Sequence, residues 1–310
     1  MARLIGYGLT IESELPVPGA VAPGPDDLRA PDLCIRCERL GGAGASRPPG
    51  FARAEDGLVC FVPGVALYRC RRDHIGVAPL AGSDPADVSA LLVASALPAA
   101  LWMRGAFVLH AAAACWPGGA GALAIAGRSG AGKSTIVEQL VELGALLVGD
   151  DSLAIEAGAE PPLARGLAGA IRRAHAAGGA SFCAVAPGRS CLAAPLSAVL
   201  VLVDTESAWS IDRVVGVASV EQLLAHRHRP RAALLAGRAG EALRDSVRLG
   251  AQVPVHVWRR PQGRPDLHPG EVAMLTEWLA HGRASPSPDG PAANAGSAAP
   301  VDCRHSSPVD

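Results

Sequence analysis

The glycine-rich segment GRSGAGKST, residues 127–135, combines residue types that bind phosphate at a spacing that fits a nucleotide-binding loop. It satisfies the pattern G-x-x-x-x-G-K-[ST], and its lysine is the only one in the chain. Glycines let backbone N–H groups turn around phosphate oxygens, lysine adds a compact charge, and a serine hydroxyl can bind Mg²⁺. The predicted nucleotide-binding residues are Gly127, Arg128, Ser129, Gly130, Ala131, Gly132, Lys133, Ser134 and Thr135.

The segments on either side of this loop predict the elements that such a loop needs. The apolar run ALAIA, residues 122–126, predicts a buried strand that enters the loop. After the loop, Ile136, Val137, Leu140 and Leu143 recur at helical spacing, and Gly144 is well placed to end the helix. A strand, a loop and a helix in this order predict that ATP binds at the N-terminus of the helix.

Two adjacent aspartates, Asp150 and Asp151, follow the next apolar run, residues 145–148. A chain that turns at the end of a strand can direct both carboxylates toward one site. Beside a P-loop, one carboxylate would hold Mg²⁺ and the other would accept the proton of an attacking hydroxyl. Asp204 is an alternative metal ligand, because it closes the apolar run 198–204 as the aspartate of a Walker B strand does.

The sequence divides into three zones that together predict an α/β protein. Residues 1–104 contain short strand-like runs between Gly/Pro-rich turns, which predicts an antiparallel, β-rich N-terminal lobe. They end in an apolar stretch that carries Pro98, which predicts a linking helix. Residues 105–281 alternate strand and helix patterns, which predicts a P-loop catalytic domain. Residues 282–310, rich in Ala, Pro, Ser and Gly, are predicted to form a disordered tail.

Composition excludes several classes of protein. The net charge of −1 provides no overall field toward nucleic acid or an anionic membrane, so neither is expected as a partner. The N-terminus shows no secretory pattern, and eight cysteines in an unsecreted chain predict reduced thiols and a cytoplasmic location. The only asparagine is Asn294, which excludes the N-K-x-D motif of GTPases and the H-R-D-x-x-x-x-N loop of eukaryotic-type protein kinases.

Residues 106–155 resemble the catalytic core of the HPr kinase/phosphorylase family of bacterial serine kinases. Those proteins carry a histidine before the P-loop strand, then G-x-S-G-x-G-K-S, a helix and an Asp-Asp pair, as His110, the loop and the aspartates do here. Lys133 and Asp150 are 17 positions apart, a spacing typical of that family. The opening YGLTIESELPVPG, residues 7–19, is similar to the start of shorter HPr-kinase-like proteins, which include lasso-peptide precursor kinases.

The resemblance implies a P-loop kinase core of the HPr kinase type that uses ATP and Mg²⁺. By that resemblance, Asp150 would be the base, Asp151 and Ser134 would hold Mg²⁺, and His110 would support the first carboxylate or the γ-phosphate. The segment RGLAG, residues 165–169, resembles the family's R-G-L-G-I, so Arg165 would steady the transferred phosphoryl group. An alanine replaces the second glycine of this segment, which is associated with phosphorolysis, so the resemblance does not support a reverse phosphorylase activity.

We therefore expect a serine kinase that transfers the γ-phosphate of ATP to a protein or peptide, either an HPr-like carrier or a natural-product precursor. A homo-oligomer is compatible with this expectation. Two alternatives stay open: an ATP-binding regulatory module without a transfer reaction, and a P-loop kinase for a small-molecule hydroxyl. Two further segments are predicted to be solvated structure, namely HRHR (residues 226–229) as a loop or helix end and WRR (residues 258–260) as a strand end with extended arginines.

Overall fold

The computed structural model describes residues 1–25, 29–39, 48–174, 180–205, 209–261 and 267–282. Within these ranges the chain forms a seven-stranded sheet, a nine-stranded sheet and a two-stranded sheet, together with helices. The predicted α/β class is therefore confirmed as a mixed α/β architecture. The predicted disordered tail, residues 282–310, lies outside the described residues from residue 283 onward.

Residues 2–79 supply the seven-stranded sheet of the N-terminal lobe. Its strands are β1 (Ala2–Gly6), β2 (Leu9–Ser13), β3 (Leu33–Cys37), β4 (Gly50–Ala54), β5 (Gly57–Val62), β6 (Ala66–Cys70) and β7 (His74–Pro79). The strand order is β1-β2-β3-β7-β6-β5-β4. The prediction of a purely antiparallel lobe is wrong at β3, which runs parallel to both β2 and β7. Long connections on both sides of β3 allow the crossovers that parallel pairing requires.

The linking helix consists of α1 (Pro85–Leu91), a wide π-helical turn (Leu92–Ala96) and α2 (Leu97–Arg104). Pro98 lacks an N–H group, so the carbonyl of Ala94 loses its helical donor and accepts instead from Nε of Arg229 at 2.7 Å. This stretch, Pro85–Arg104, is long and apolar enough to cross a membrane, yet 78% of its most apolar window is buried within the protein. The predicted buried helix with an irregularity near its proline is therefore confirmed.

The remaining chain contains strands and helices that do not alternate as predicted, because seven strands follow one another between residues 146 and 214. The strands are β8 (Phe107–Leu109), β9 (Ala111–Cys115), β10 (Ala122–Gly127), β11 (Leu146–Gly149), β12 (Leu153–Glu156), β13 (Leu163–Arg165), β14 (Ala170–Ala174), β15 (Ala180–Ala184), β16 (Ala194–Thr205), β17 (Ser210–Val214) and β18 (Val255–Pro261). The helices are α3 (Lys133–Glu142), α4 (Val217–Ala225), α5 (Pro230–Leu235), α6 (Ala239–Gln252) and α7 (Pro269–His281).

Strand β10 lies in the interior of the nine-stranded sheet, antiparallel to β9 and parallel to β16, which is in turn parallel to β18. Alternate residues of β10 face opposite layers. Leu123 and Ile125 pack in the same core as the buried faces of α3 and α7, while the three alanines of β10 face the core shared with the N-terminal lobe. Because β10 is buried on both faces, its sequence is continuously apolar.

One hydrophobic core joins the two lobes. It includes Tyr7 and Leu33 from the first sheet, Trp102 from the linking helix, and Phe107 and Leu153 from the second sheet. Helix α2 ends at residue 104, and this core contains residues from both sides of that position, so the domain boundary there stays a prediction.

Helix α3 follows the predicted pattern with one difference. Ile136, Val137 and Leu140 are buried as predicted, whereas Leu143 is exposed and Val141 is buried instead. The helix ends at Glu142, and Leu143 serves as its C-cap before the left-handed Gly144. The predicted stop is thus confirmed, and the predicted burial of Leu143 is wrong because the chain has already turned away there.

Candidate functional site

The carboxyl end of β10 delivers the chain to the glycine-rich loop. Gly130 and Gly132 have φ angles of +83° and +92°, in the left-handed region that residues with side chains rarely adopt. Arg128, Ser129 and Gly130 are exposed at the tip of the loop. Gly132 is the N-cap of α3, whose first N–H groups have no helical partner and favour an anion. The predicted strand, loop and helix are all present, and the loop is open to solvent.

The ammonium group of Lys133 lies beneath the loop and is held by uncharged acceptors. Its Nζ donates hydrogen bonds to the carbonyl oxygens of Gly127 (3.0 Å) and Arg128 (2.9 Å) and to Nε2 of His110 (3.1 Å). The side chain is only 6% exposed, and burial lowers its pKa, although the nearby carboxylates act in the opposite direction. Because none of these three acceptors is a carboxylate, the lysine charge is available to an anionic phosphate.

Asp150 is joined to the P-loop through Ser134. The hydroxyl of Ser134 donates to Oδ1 of Asp150 at 2.7 Å, and the backbone N–H of Arg172 donates to Oδ2 at 2.8 Å. Asp150 is 5% exposed, and burial raises its pKa to about 6 although both hydrogen bonds act to lower it. The serine and carboxylate oxygens together form the kind of ligand set that Mg²⁺ prefers. The serine is therefore paired with Asp150, and not with Asp151 as the resemblance implies.

Asp151 lies on the other side of the site, against His110. Its φ angle is +69°, and this left-handed turn brings both aspartates to one site, as expected for a turn at a strand end. The carbonyl oxygen of Asp151 accepts a 2.8 Å hydrogen bond from Nδ1 of His110, so Nε2 of that ring accepts from Lys133. Burial and the neighbouring ammonium lower the pKa of His110 and keep it neutral. Among the described residues, Oδ2 of Asp151 is buried and has no hydrogen-bond partner.

The segment HRHR lies at a helix end as predicted, between α4 and α5, but it is only partly solvated, because His228 is buried and the other three residues are partly buried. It runs along β8, with His110 N–H bonded to the carbonyl of His226 at 2.7 Å and His228 N–H bonded to that of Val108 at 2.8 Å. Trp102 Nε1 donates to the carbonyl of His228 at 2.7 Å. The buried ring of His228 lies 4.8 Å from that of His110, and burial lowers its pKa to about 3. The segment covers an edge of the sheet and holds a second neutral imidazole at the site.

His110, Asp151 and His228 each offer a ligand atom, and these atoms lie within 4.8 Å of one another. Among the described residues no other group of three such side chains is found. Both ring nitrogens of His110 are already occupied, however, one by the carbonyl of Asp151 and the other by Lys133. A cation here would have to displace the lysine ammonium, so Ser134 and Asp150 are the better matched pair for Mg²⁺.

Two other predicted site residues lie away from these contacts. Arg165 is in β13, where its guanidinium bonds Glu156 at 3.4 Å and packs against the turn at Gly8. Asp204, the alternative metal ligand, is exposed near the end of β16, while the hydroxyl of Ser134 is bonded to Asp150. The catalytic roles assigned to Asp150, His110, Lys133 and Arg165 stay predictions.

The segment WRR also differs from its prediction. Arg259 is exposed and pairs with Asp212 on β17, as an arginine at a strand end would. Arg260 is buried, however, and bonds both carboxylate oxygens of Glu271, at 2.9 and 3.2 Å. Because Glu271 begins α7, this buried pair ties the last strand to the last helix.

Sequence reasoning missed four contributors to the site: Tyr7, Ser152, Arg172 and His228. Tyr7 belongs to the N-terminal lobe, and its hydroxyl lies 2.6 Å from that of Ser152, directly after the aspartates. Arg172 contributes its backbone N–H, and because nearly every residue type has this group, the sequence gives no sign of the contact. The serine next to the aspartates and the repeated histidines in HRHR were the available signals.

Comparisons with known proteins find similarity to solved structures but not to any family model or curated protein. The chain is similar in structure to the HPr(Ser) kinase/phosphatase from Coxiella burnetii, with 14% sequence identity and a TM-score of 0.33, and the match covers 56% of this chain and 92% of that one. A proposal for function therefore rests on the geometry of the site.

Proposed function

We propose that the protein is an ATP- and Mg²⁺-dependent kinase that transfers the γ-phosphoryl group of ATP to a serine hydroxyl of a protein or peptide. The observation that carries the proposal is the different environment of two adjacent carboxylates beside a P-loop. Asp150 is bonded to the loop serine, whereas Asp151 keeps one buried oxygen without a hydrogen-bond partner. A module that binds a nucleotide without transferring phosphate has no need of a second carboxylate with an unpaired oxygen.

The triphosphate would bind along the loop. The N–H groups at the start of α3 and the charge of Lys133 match the phosphate oxygens in sign and direction. Lys133 is held between the loop carbonyls and His110, and because these acceptors take all three of its N–H groups, a phosphate would replace at least one of them. A buried ammonium without a carboxylate in contact gains electrostatic energy when a phosphate arrives.

Ser134 and Asp150 would hold Mg²⁺. Both are oxygen ligands, and the raised pKa of Asp150 indicates a buried carboxylate that a cation would stabilise in its charged form. When bound, the ion neutralises charge on the β- and γ-phosphates. This assignment exchanges the roles that the family resemblance implies for the two aspartates.

Asp151 would act as the general base. The hydroxyl oxygen of the acceptor forms a bond to the γ-phosphorus, the bond from that phosphorus to the bridging oxygen breaks, and ADP leaves with the bonding electrons. The hydroxyl proton would pass to the carboxylate of Asp151, whose Oδ1 lies 3.9 Å from Nδ1 of His110 and whose Oδ2 has no hydrogen-bond partner among the described residues. His110 is neutral and orients Asp151 through its carbonyl.

The nature of the acceptor rests on the sequence resemblance to HPr-kinase-like proteins, which favours a serine in a carrier protein or a precursor peptide. The test is incubation of the protein with Mg·ATP and candidate serine-bearing acceptors, followed by location of the phosphate by mass spectrometry. Phosphoserine on a protein or peptide supports the proposal. Tight ATP binding without transfer would favour a regulatory module, and phosphorylation of free hydroxyl compounds alone would favour a small-molecule kinase.

A further inference from the structure

The backbone of Asp151 is held in a strained conformation. Among the described residues, the non-glycine residues with a left-handed backbone are Tyr7, Asp151 and Arg229. This conformation costs roughly 1–2 kcal/mol for a residue with a side chain, and it persists only where the surroundings impose it. The contacts that impose it on Asp151 therefore also determine where its carboxylate points.

Two of those contacts are close to the turn itself. Nδ1 of His110 donates to the carbonyl of Asp151 at 2.8 Å, and the N–H of Ser152 donates to the carbonyl of Asp150 at 2.9 Å. Ser152 is fully buried, and its hydroxyl lies 2.6 Å from the hydroxyl of Tyr7. The residue that follows Asp151 is thus anchored by a side chain from the other lobe.

Tyr7 also holds the strand against which the turn packs. Its N–H donates to the carbonyl of Gly166 at 3.0 Å. Gly149 and Gly166 are so close that a Cβ on either one would lie within 2.7 Å of the Cα of the other. The backbone before the aspartates therefore rests on Gly166, and Tyr7 is bonded both to Gly166 and to Ser152, the residue after the aspartates.

The hydroxyl of Tyr7 is suited to a fixed hydrogen bond. The side chain is 3% exposed, and burial raises its pKa, as do the negative charges of the nearby aspartates. The phenol therefore stays protonated and keeps its hydrogen bond with Ser152 at any physiological pH.

We propose that Tyr7 is a positioning residue which, through Ser152, holds the carboxylate of Asp151 in the orientation for phosphoryl transfer. The N-terminal lobe thereby completes the site in the second sheet. This inference rests on the proposed function, because it assigns Tyr7 to the orientation of the base.

The chain contains a matched control. Its other tyrosine, Tyr68, is also fully buried and donates its hydroxyl hydrogen to the carbonyl of Val88 at 2.8 Å, within the lobe and its linking helix. Tyr7→Phe and Tyr68→Phe each remove one buried hydrogen bond and keep the aromatic ring. The two variants differ in whether the lost hydrogen bond anchors the turn at Asp150 and Asp151.

The experiment compares both variants in the full chain. The first measurement is steady-state phosphate release from Mg·ATP, with water as the acceptor, and the second is hydrogen exchange of the peptide that covers residues 149–153. Tyr7→Phe should lower kcat about tenfold or more with the KM for ATP unchanged, since small displacements of a reacting group cost large factors in rate. It should also speed exchange of that peptide, whereas Tyr68→Phe should change neither quantity.

A second variant tests the path through Ser152. Ser152→Ala should give the same loss in kcat, and the double variant should lose no more, since both changes remove one interaction. Equal kcat values for Tyr7→Phe and Tyr68→Phe in an active enzyme would overturn the inference. If the wild-type protein transfers phosphate from Mg·ATP neither to water nor to a serine-bearing acceptor, the proposed kinase function fails, and unchanged exchange in Tyr7→Phe would then overturn the positioning role separately.

Discussion

The hydroxyl of Ser134 donates a 2.7 Å hydrogen bond to Oδ1 of Asp150, while the adjacent Asp151 contacts His110 on the far side of the same turn. Two neighbouring carboxylates therefore have different hydrogen-bond partners. One is buried against the phosphate loop, and the other retains an oxygen without a hydrogen-bond partner. This division of surroundings is the basis for assigning a metal ligand and a base.

The first prediction concerns the single lysine. Lys133→Arg should reduce ATP turnover about 100-fold or more, as Lys133→Ala should, because a planar guanidinium cannot occupy the narrow slot between two loop carbonyls and His110. Turnover rates and ATP affinity by calorimetry measure the effect. Arg244→Lys, at an exposed position on α6, controls for the exchange of arginine and lysine. Substantial activity in Lys133→Arg would contradict the proposed role of the lysine.

The second prediction concerns stability and pH. Asp150 has a pKa of about 6 in the folded protein, and about 3.9 is the ordinary value for an unfolded chain. The neutral carboxyl of Asp150 thus makes its full contribution to the free energy of unfolding below pH 4. This contribution, about 3 kcal/mol at most, is lost as pH rises through 6. Asparagine cannot ionise, so in magnesium-free buffer the Tm of Asp150→Asn minus that of wild type should increase from pH 4 to pH 7.

The same measurement on Asp204→Asn is the matched control, because Asp204 is an exposed aspartate. A Tm difference for Asp150→Asn that stays constant across this pH range would show that burial does not raise the pKa of Asp150. Added Mg·ATP should stabilise wild type more than Asp150→Asn, since the ion binds the charged carboxylate.

The third prediction concerns the buried pair Arg260–Glu271. Glu271→Gln should lower the free energy of unfolding by about 3 kcal/mol, because it removes the negative partner of a buried arginine charge. The neighbouring pair Arg259–Asp212 is solvent-exposed, so Asp212→Asn should cost less than about 1 kcal/mol. Urea denaturation of both variants provides the comparison. Equal losses in the two variants would show that burial of the pair has no energetic consequence.

Much of the fold and the phosphate loop could be predicted, because the relevant signals are local. The apolar run before Gly127, the glycine spacing and the helical spacing after Lys133 each follow from short-range geometry, and the structure contains the strand, loop and helix. The buried linking helix was predictable for the same reason. The parallel pairing of β3 was not, because it depends on which distant strands become neighbours.

The arrangement of the site was less predictable, because it depends on one backbone angle and on distant segments. Ser134 pairs with Asp150 whereas Asp151 has a left-handed φ, and neighbouring residues of identical type carry no sign of this difference. Tyr7 and His228 reach the site from opposite ends of the described chain. The HRHR segment has a solvated composition, yet hydrogen bonds from Trp102 and to Val108 hold it against β8, where His228 is buried.

The most direct test is single-turnover phosphoryl transfer at saturating Mg·ATP by Asp151→Asn and Asp150→Asn. Asp151→Asn should slow transfer about 100-fold or more with the affinity for Mg·ATP unchanged, as loss of a general base does. Asp150→Asn should instead raise the Mg²⁺ concentration needed for half-maximal rate. Full transfer by Asp151→Asn, or an unchanged Mg²⁺ requirement in Asp150→Asn, would contradict the assignment of base and metal ligand.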